Sequence, residues 1–249
     1  MLKIKNLKKY FGGIKAVDDC SFEIGKGEIT ALIGPNGSGK TTIFNLVSGI
    51  LKPDSGKIFF KPEKEWIEIT DKSIEFISNL GISRLFQQTQ LFNNLTVKEN
   101  LLLALDNEDT KFLKNFFGLN KITKEKEEKI KEILKMVNME EFENNLARDL
   151  SYGQKRLIEL SRAILKSHKF LMLDEPVAGV TPSLREKIAE ILLKLKKQGE
   201  TIFLIEHDMN FTLKIADEVI VMNEGKVIAK GKPEEIKNNS KVLEIYLGE

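Results

Sequence analysis

A chain of 249 residues, 41% apolar and 31% charged, is long enough to bury a sizeable core and has the composition of a globular domain. Its 39 basic and 37 acidic residues leave a formal charge of +2, and the basic residues are scattered, which argues against binding nucleic acid or membrane lipid by bulk attraction. The single cysteine, Cys20, excludes an intrachain disulfide or a cysteine-cluster metal site; no apolar signal core follows Met1 and no run reaches the ~20 apolar residues of a membrane span, so the expectation is a cytosolic protein.

Residues 2–33 predict strands separated by Gly12-Gly13 and Gly25-Lys26-Gly27. Cys20 falls within one of them, as a small buried thiol. Tyr10-Phe11 precedes the first turn, where an aromatic ring either joins the core or offers a flat face to a nucleotide base. Glu28 to Ile33 is an apolar, β-branched run that predicts a buried strand. Directly after it, Gly34-Pro35-Asn36-Gly37-Ser38-Gly39-Lys40-Thr41-Thr42 fits G-x-x-x-x-G-K-[ST]. A helix over Thr42 to Val47, ended by Gly49, follows. Strand, glycine loop and helix aim backbone N–H groups and a helix N-terminus at one point, which suits a phosphate chain. The candidate nucleotide contacts are Asn36, Gly37, Ser38, Gly39, Lys40, Thr41 and Thr42, with Lys40 on the β/γ-phosphates and the Thr41 hydroxyl on Mg²⁺.

Beyond a turn at Leu51 to Gly56, Lys57 to Phe60 predicts a strand and Glu65 to Ile69 alternates like another. Ser73 to Leu80 predicts a short helix stopped by Gly81, and Ile82 to Phe86 a strand ending at Gln87. Thr96 caps a helix over Val97 to Leu105, with Glu99 completing a capping box. Phe112, Leu113, Phe116 and Phe117 recur at helical spacing and read as a buried stripe. Thr123 to Asn138 predicts a helix with Ile130, Ile133, Leu134 and Val137 inward, and Glu125/Lys129 and Glu127/Lys131 as outer i,i+4 pairs. A turn or two of helix covers Glu140 to Asn144, and another helix runs from Lys155 to Leu165.

Phe170 to Asp174 predicts an apolar strand and Ser183 to Lys197 an amphipathic helix ended by Gly199. Next come a strand over Thr201 to Ile205, a helix over Asp208 to Ala216, and strands Val219–Met222 and Lys226–Ala229 across an Asn223-Glu224-Gly225 turn. Pro233 opens a helix at its favoured first position, and Val242 to Leu247 forms the last. Strands alternating with helices imply a parallel sheet with helices outside. The helical block, about 88–165, interrupts that pattern and reads as an inserted lobe within one domain spanning 1–249.

Asp174-Glu175 ends an apolar strand, where open α/β sheets place ligands. Asp174 suits the Mg²⁺ shell, and Glu175 is placed to polarise a water for attack on the γ-phosphate. His207 also follows a strand directly, facing the same phosphate. Gln87 ends a strand where an amide can bridge metal and water. His168 lacks such context and reads as a surface residue. Ser151 and Gly153 precede a helix, whose free N–H groups and dipole make a second anion site. Two phosphate-binding helix ends far apart in sequence suggest that two chains sandwich the nucleotide.

These motifs occur in an order that resembles the ATP-binding subunit of an ABC transporter over essentially the whole chain: GPNGSGKT at 34–41, FQ at 86–87, LSYGQ at 150–154, LMLDE at 171–175 and EH at 206–207. The resemblance implies a P-loop NTPase (RecA-like) core with an antiparallel β subdomain and an inserted α-helical subdomain. It also implies ATP with Mg²⁺, the metal being held by Thr41, Gln87 and Asp174. Glu175, His207 and Gln87 would serve hydrolysis in one protomer, with Ser151, Gly153 and Gln154 of the signature supplied by the opposite one. Phe11 matches the base-stacking position best, with Tyr10 the alternative. Tyr152 stands at the usual second glycine of the signature, and Thr181, in Ala178-Gly179-Val180-Thr181, at the usual D-loop Asp.

Further details are similar to the high-affinity branched-chain amino acid importers: Phe11-Gly12-Gly13-Ile14-Lys15-Ala16-Val17, Arg84-Leu85-Phe86-Gln87 with Leu91-Phe92, Tyr152-Gly153-Gln154, Ile205-Glu206-His207-Asp208-Met209 and Glu244-Ile245-Tyr246-Leu247-Gly248-Glu249. Importers of urea or short amides and lipopolysaccharide exporters share many of these. The implied partners are a second ATPase subunit, identical or a paralogue, integral-membrane permease subunits and, through them, a solute-binding protein, with no nucleic acid. The implied location is the inner face of the membrane, docked near Gln87. A soluble ABC protein acting on DNA or ribosomes is the alternative of another class; such proteins usually carry two fused ATPase units or a long coiled-coil insertion, and this chain has one unit and neither.

Overall fold

The computed structural model describes residues 1–86, 90–105 and 123–247. Gln87 and the Phe112–Phe117 stripe lie outside the described residues. The chain divides into two compact units: Met1–Arg84, His168–Pro176 and Leu192–Glu249 form the first, and Leu85–Ser167 with Val177–Ile191 the second.

The first unit begins with β1 (Leu2–Phe11) and β2 (Ile14–Ile24), an antiparallel pair. Leu2 and Ile4 point inward, and so does Leu7, an odd step that strict alternation forbids. A shift in register between Ile4 and Leu7 absorbs the extra residue, with Asn6 at φ 46°. β3 (Ile29–Ile33) is buried throughout, and α1 (Lys40–Val47) follows it. β4 (Ser55–Phe60) and β5 (Ile67–Glu68) complete a four-stranded antiparallel sheet in the order β2-β1-β4-β5. Only Ile67–Glu68 of the alternating stretch 65–69 pairs as strand. The short helix α2 (Ile74–Asn79) starts at Ser73, whose hydroxyl accepts the Phe76 N–H.

β6 (Ile82–Leu85) is the edge of a second, six-stranded sheet, ordered β10-β9-β3-β8-β7-β6. Its other members are β7 (Phe170–Asp174), β8 (Thr201–Ile205), β9 (Glu218–Asn223) and β10 (Lys226–Gly231). β9, β3, β8 and β7 are parallel, and β10 runs antiparallel to β9. β3, β7 and β8 are buried at every residue, which is why they read as unbroken apolar runs. The Phe203 ring sits between Phe44 and Phe170, centroids 4.8 and 6.2 Å away. β9 turns into β10 through Glu224 and Gly225, both at φ > 0 (46° and 76°), the type I′ geometry.

Among the described residues, the second unit contains α3 (Val97–Leu105), α4 (Lys124–Val137) and α5 (Tyr152–Leu165), the last packed against the other two. The capping box at α3 forms as expected: Thr96 Oγ1 accepts the Glu99 N–H at 3.2 Å, and Glu99 Oε2 accepts the Thr96 N–H at 2.7 Å. Ile130, Ile133, Leu134 and Val137 of α4 are buried. Glu125 reaches Lys129 at 2.7 Å, but Glu127 turns to Lys98, 3.6 Å away. α5 starts three residues earlier than its apolar periodicity indicates, because Ser151 caps it. α6 (Pro182–Lys197) contributes residues to both units. In the first unit, α7 (Met209–Ile215) is capped by Asp208, whose carboxylate accepts the Phe211 N–H at 2.9 Å, and α8 (Pro233–Lys237) and α9 (Ser240–Leu247) end the chain. His168 corrects the sequence reading: its side chain is 4% exposed and meets Glu200 at 3.2 Å.

Candidate active site

The order β3-β8-β7 places three functional loops side by side. The strands are parallel, so the segments that leave their C-terminal ends emerge at one edge of the sheet. After β3 comes the glycine loop 34–39, after β8 Glu206-His207, and after β7 Glu175. Asp174, the last residue of β7, is in register with Ile205, the last of β8.

The glycine loop leads into α1 through Gly39, which has φ 101°. A Cβ there would lie 2.1 Å from the Ala16 carbonyl oxygen, and one on Gly34 2.1 Å from that of Met222, so both positions admit only glycine. Ser38 accepts the Gly225 N–H on its carbonyl at 3.1 Å, so the β9–β10 turn buttresses the loop. Lys40 is 7% exposed; its ammonium donates to the Gly34 and Pro35 carbonyls, each at 2.8 Å. Asn36, Gly37 and Thr41 are exposed, Ser38 is buried, and Gly39 and Thr42 are half-buried. A loop that excludes side chains and ends on a helix N-terminus has the shape that fits a phosphate chain, and Lys40 stands within it as a cation.

Asp174 is buried, and its Oδ2 accepts from Arg84 Nη2 at 2.9 Å. Burial pulls the Arg84 guanidinium below its ordinary pKa, and Asp174 opposes that shift. Glu175 has φ 48°, a left-handed conformation that costs a non-glycine residue free energy and recurs at functional sites. Its N–H donates to the Ile205 carbonyl at 3.0 Å, which holds the turn against β8. Glu175 Oε1 lies 4.0 Å from His207 Nδ1, so the structure brings these two residues together. Arg84 had no assigned role in the sequence; a charged residue on an edge strand reads as solvated until Asp174, 90 positions away, is found on it.

Phe11 and Tyr10 separate clearly. The Tyr10 hydroxyl donates to Asp18 at 2.7 Å, a bond that raises the tyrosine's pKa and lowers that of Asp18. The Phe11 ring is 46% exposed, with Lys9 Nζ 5.5 Å from its centroid. Phe11 is therefore the one that presents its ring to solvent.

In the second unit, Ser151 caps α5 through a full capping box: its hydroxyl accepts the Gln154 N–H at 3.3 Å, and Gln154 Oε1 accepts the Ser151 N–H at 2.8 Å. The Tyr152 hydroxyl donates to the Ala178 carbonyl at 3.3 Å, and its ring lies over Gly179. Thr181, at the position of the missing Asp, caps α6: its hydroxyl accepts the Leu184 N–H at 3.4 Å, and Pro182 takes the first helical position. One face of α5 grips the backbone on either side of 87–89. Arg156 donates to the Phe86 carbonyl and Arg162 to the Gln90 carbonyl, both at 2.8 Å, while Glu159 accepts the Gln90 N–H. Desolvation raises the pKa of Glu159, opposed by that N–H and by Arg156.

A glycine loop on a helix, with an Asp-Glu pair and a histidine at adjacent strand ends, defines a P-loop nucleotide site of the hydrolase type. The ABC transporter family model matches residues 17–178, and the model for branched-chain amino acid ATP-binding cassette transporters matches residues 226–249. This chain belongs to the ABC transporter family, as one of its ATP-binding cassettes. It is 42% identical to the probable branched-chain amino acid transport ATP-binding protein LivG of Archaeoglobus fulgidus, across 100% of this chain and 95% of that protein. The high-affinity branched-chain amino acid transport ATP-binding protein LivG of Escherichia coli is 36% identical, across 100% and 98%. Among solved structures, the ADP conformation of an ABC transporter's ATP-binding cassette superposes with TM-score 0.85 at 36% identity, covering 100% of this chain and 99% of that one. A dimeric bacterial ABC transporter cassette superposes with TM-score 0.79 at 27% identity, covering 94% and 99%.

Proposed function

We propose that this chain is the ATP-hydrolysing motor of an importer for branched-chain amino acids. The observation that carries the chemistry is the Glu175–His207 approach of 4.0 Å at the edge where the glycine loop also emerges. The similarity to LivG proteins over the full chain supports the substrate class. Lys40 and the N–H groups of residues 36–42 would hold the phosphates, and Phe11 the base. Thr41, Gln87 and Asp174 would hold Mg²⁺, which supplies charge neutralisation at the phosphates when bound. Glu175 would take the proton of the attacking water, with His207 fixing its orientation. Ser151, Gly153 and Gln154 would serve the site of a second cassette, so the working unit is a dimer. Residues 88–165, approximately, are read as the inserted helical subdomain within the single 1–249 domain.

Among the described residues no helix is long and apolar enough to cross a membrane. By its similarity to transport ATP-binding proteins, the motor would act from the cytoplasmic face through permease subunits, near Gln87. Purified alone, the protein should hydrolyse ATP at a rate unchanged by leucine, isoleucine, valine or urea. Reconstituted in vesicles with permease subunits and a solute-binding protein, its ATPase should rise with branched-chain amino acids. Stimulation by urea alone in the complete assembly would overturn the substrate, and saturable leucine binding to the isolated chain would overturn the division of labour.

A further inference from the structure

A buried cation joins the strand-end aspartate to the helix of the glycine loop. Arg84 is only 6% exposed in its side chain, and Asp174 only 3%. Charges are buried at this depth only when paired and hydrogen-bonded. Among the described residues, the guanidinium's Nη atoms donate to acceptors on two elements. Nη2 donates to Asp174 Oδ2 at 2.9 Å, at the end of β7. Nη1 donates to Asn45 Oδ1 at 2.8 Å and to Ser48 Oγ at 2.9 Å, both on α1. The Ser48 hydroxyl spends its own proton on the Phe44 carbonyl at 2.7 Å, which turns its oxygen toward Arg84. The guanidinium also lies against the Phe44 ring, 5.5 Å from the centroid.

A guanidinium is a rigid planar fork, so holding both ends fixes one relative to the other. One end is the carboxylate of Asp174. The other is α1, the helix whose first turn carries Lys40 and Thr41. We propose that Arg84 is a positioning residue that sets Asp174 against α1, so that Asp174 and Thr41 grip one Mg²⁺·nucleotide together. This rests on the reading of Asp174 and Thr41 as the metal's protein ligands. The lone-pair capacity of a carboxylate leaves room for a metal-bound water beside the arginine.

The test compares ATP affinity in Mg²⁺ with that in EDTA, using a fluorescent ATP analogue and the full chain. The ratio is the gain that magnesium confers. Arg84→Lys keeps the charge and loses the fork, while Asp174→Asn removes the proposed ligand. Losing the partner that orients a metal ligand typically costs about 10–100-fold in metal affinity, so Arg84→Lys should cut the gain by about that factor and Asp174→Asn by at least as much. Affinity in EDTA should stay at the wild-type value. A merely structural arginine would lower both affinities together, and that result overturns the proposal. A wild-type gain in Arg84→Lys beside a lost gain in Asp174→Asn would also overturn it, leaving the role of Asp174 standing. An unchanged gain in both variants would remove Asp174 from the metal and the proposal with it. If Arg84→Lys does not fold, the Asn45→Ala/Ser48→Ala double variant releases the α1 anchor and keeps the ion pair; its gain should fall about tenfold, and an unchanged gain overturns the anchoring role.

Discussion

At the scale of single residues, the site depends on what each side chain is held by. Glu175 sits in a left-handed backbone conformation, pinned by its N–H to Ile205 and facing His207 at 4.0 Å. The proposed role of its carboxylate is to accept a proton from the attacking water. Glu175→Gln keeps the shape and loses the basicity. ATP turnover should fall by roughly 10²–10⁴-fold, the usual worth of a general base. ATP binding should persist, because Lys40 and Asp174 are untouched. A phosphate-release assay beside a binding titration checks this, and near-normal turnover would remove Glu175 from catalysis.

At the scale of elements, helix ends explain positions that the motif pattern leaves odd. Thr181 departs from the D-loop's aspartate, yet its hydroxyl accepts the Leu184 N–H at the start of α6. Removing a capping hydroxyl costs about 1 kcal/mol. Thr181→Ala should therefore lower the denaturation midpoint with an unchanged slope, by about that free energy. Thr181→Asp restores a cap and adds a negative charge at the positive end of the helix, so it should match or exceed wild-type stability. Equal midpoints for all three proteins would show that Thr181 caps nothing of consequence. Tyr152 has a comparable explanation: it takes a glycine's place without closing the helix start, because its ring lies over Gly179 and its hydroxyl on the Ala178 carbonyl.

At the scale of the whole molecule, the two helix ends proposed to bind phosphate belong to different units, α1 to the first and α5 to the second. If each nucleotide is shared between two chains, the ends complement each other in trans. Lys40→Ala should abolish turnover alone by removing the ammonium at the phosphates, where charge-assisted contacts are strong. Ser151→Arg should abolish it by crowding the cap of α5. Mixed in equal amounts, the two should regain activity, because a mixed dimer has one site with both ends intact. A mixture as inactive as its components would place the whole site within one chain.

Much of the fold was legible along the chain, as were the residue types that the site reading rests on. The capping box Thr96/Glu99 marked the start of α3 at Val97, and an unbroken apolar run marked β7 at Phe170–Asp174, because burial on both faces leaves its pattern in the chain. Spacing also marked Lys40, Asp174, Glu175 and His207, since a phosphate loop and strand-end carboxylates need neighbours close in sequence. Other features depended on partners distant in the chain. The six-strand order that sets three loops at one edge is a matter of pairing between segments as far apart as Thr30 and Glu218. Ser151's early start of α5 came from side-chain capping rather than apolar spacing, and His168 became buried by meeting Glu200. Arg84 shows the limit most plainly: its acceptors are 39, 36 and 90 positions away. A buried charge is stabilised only by the groups that surround it, and tertiary packing alone decides which those are.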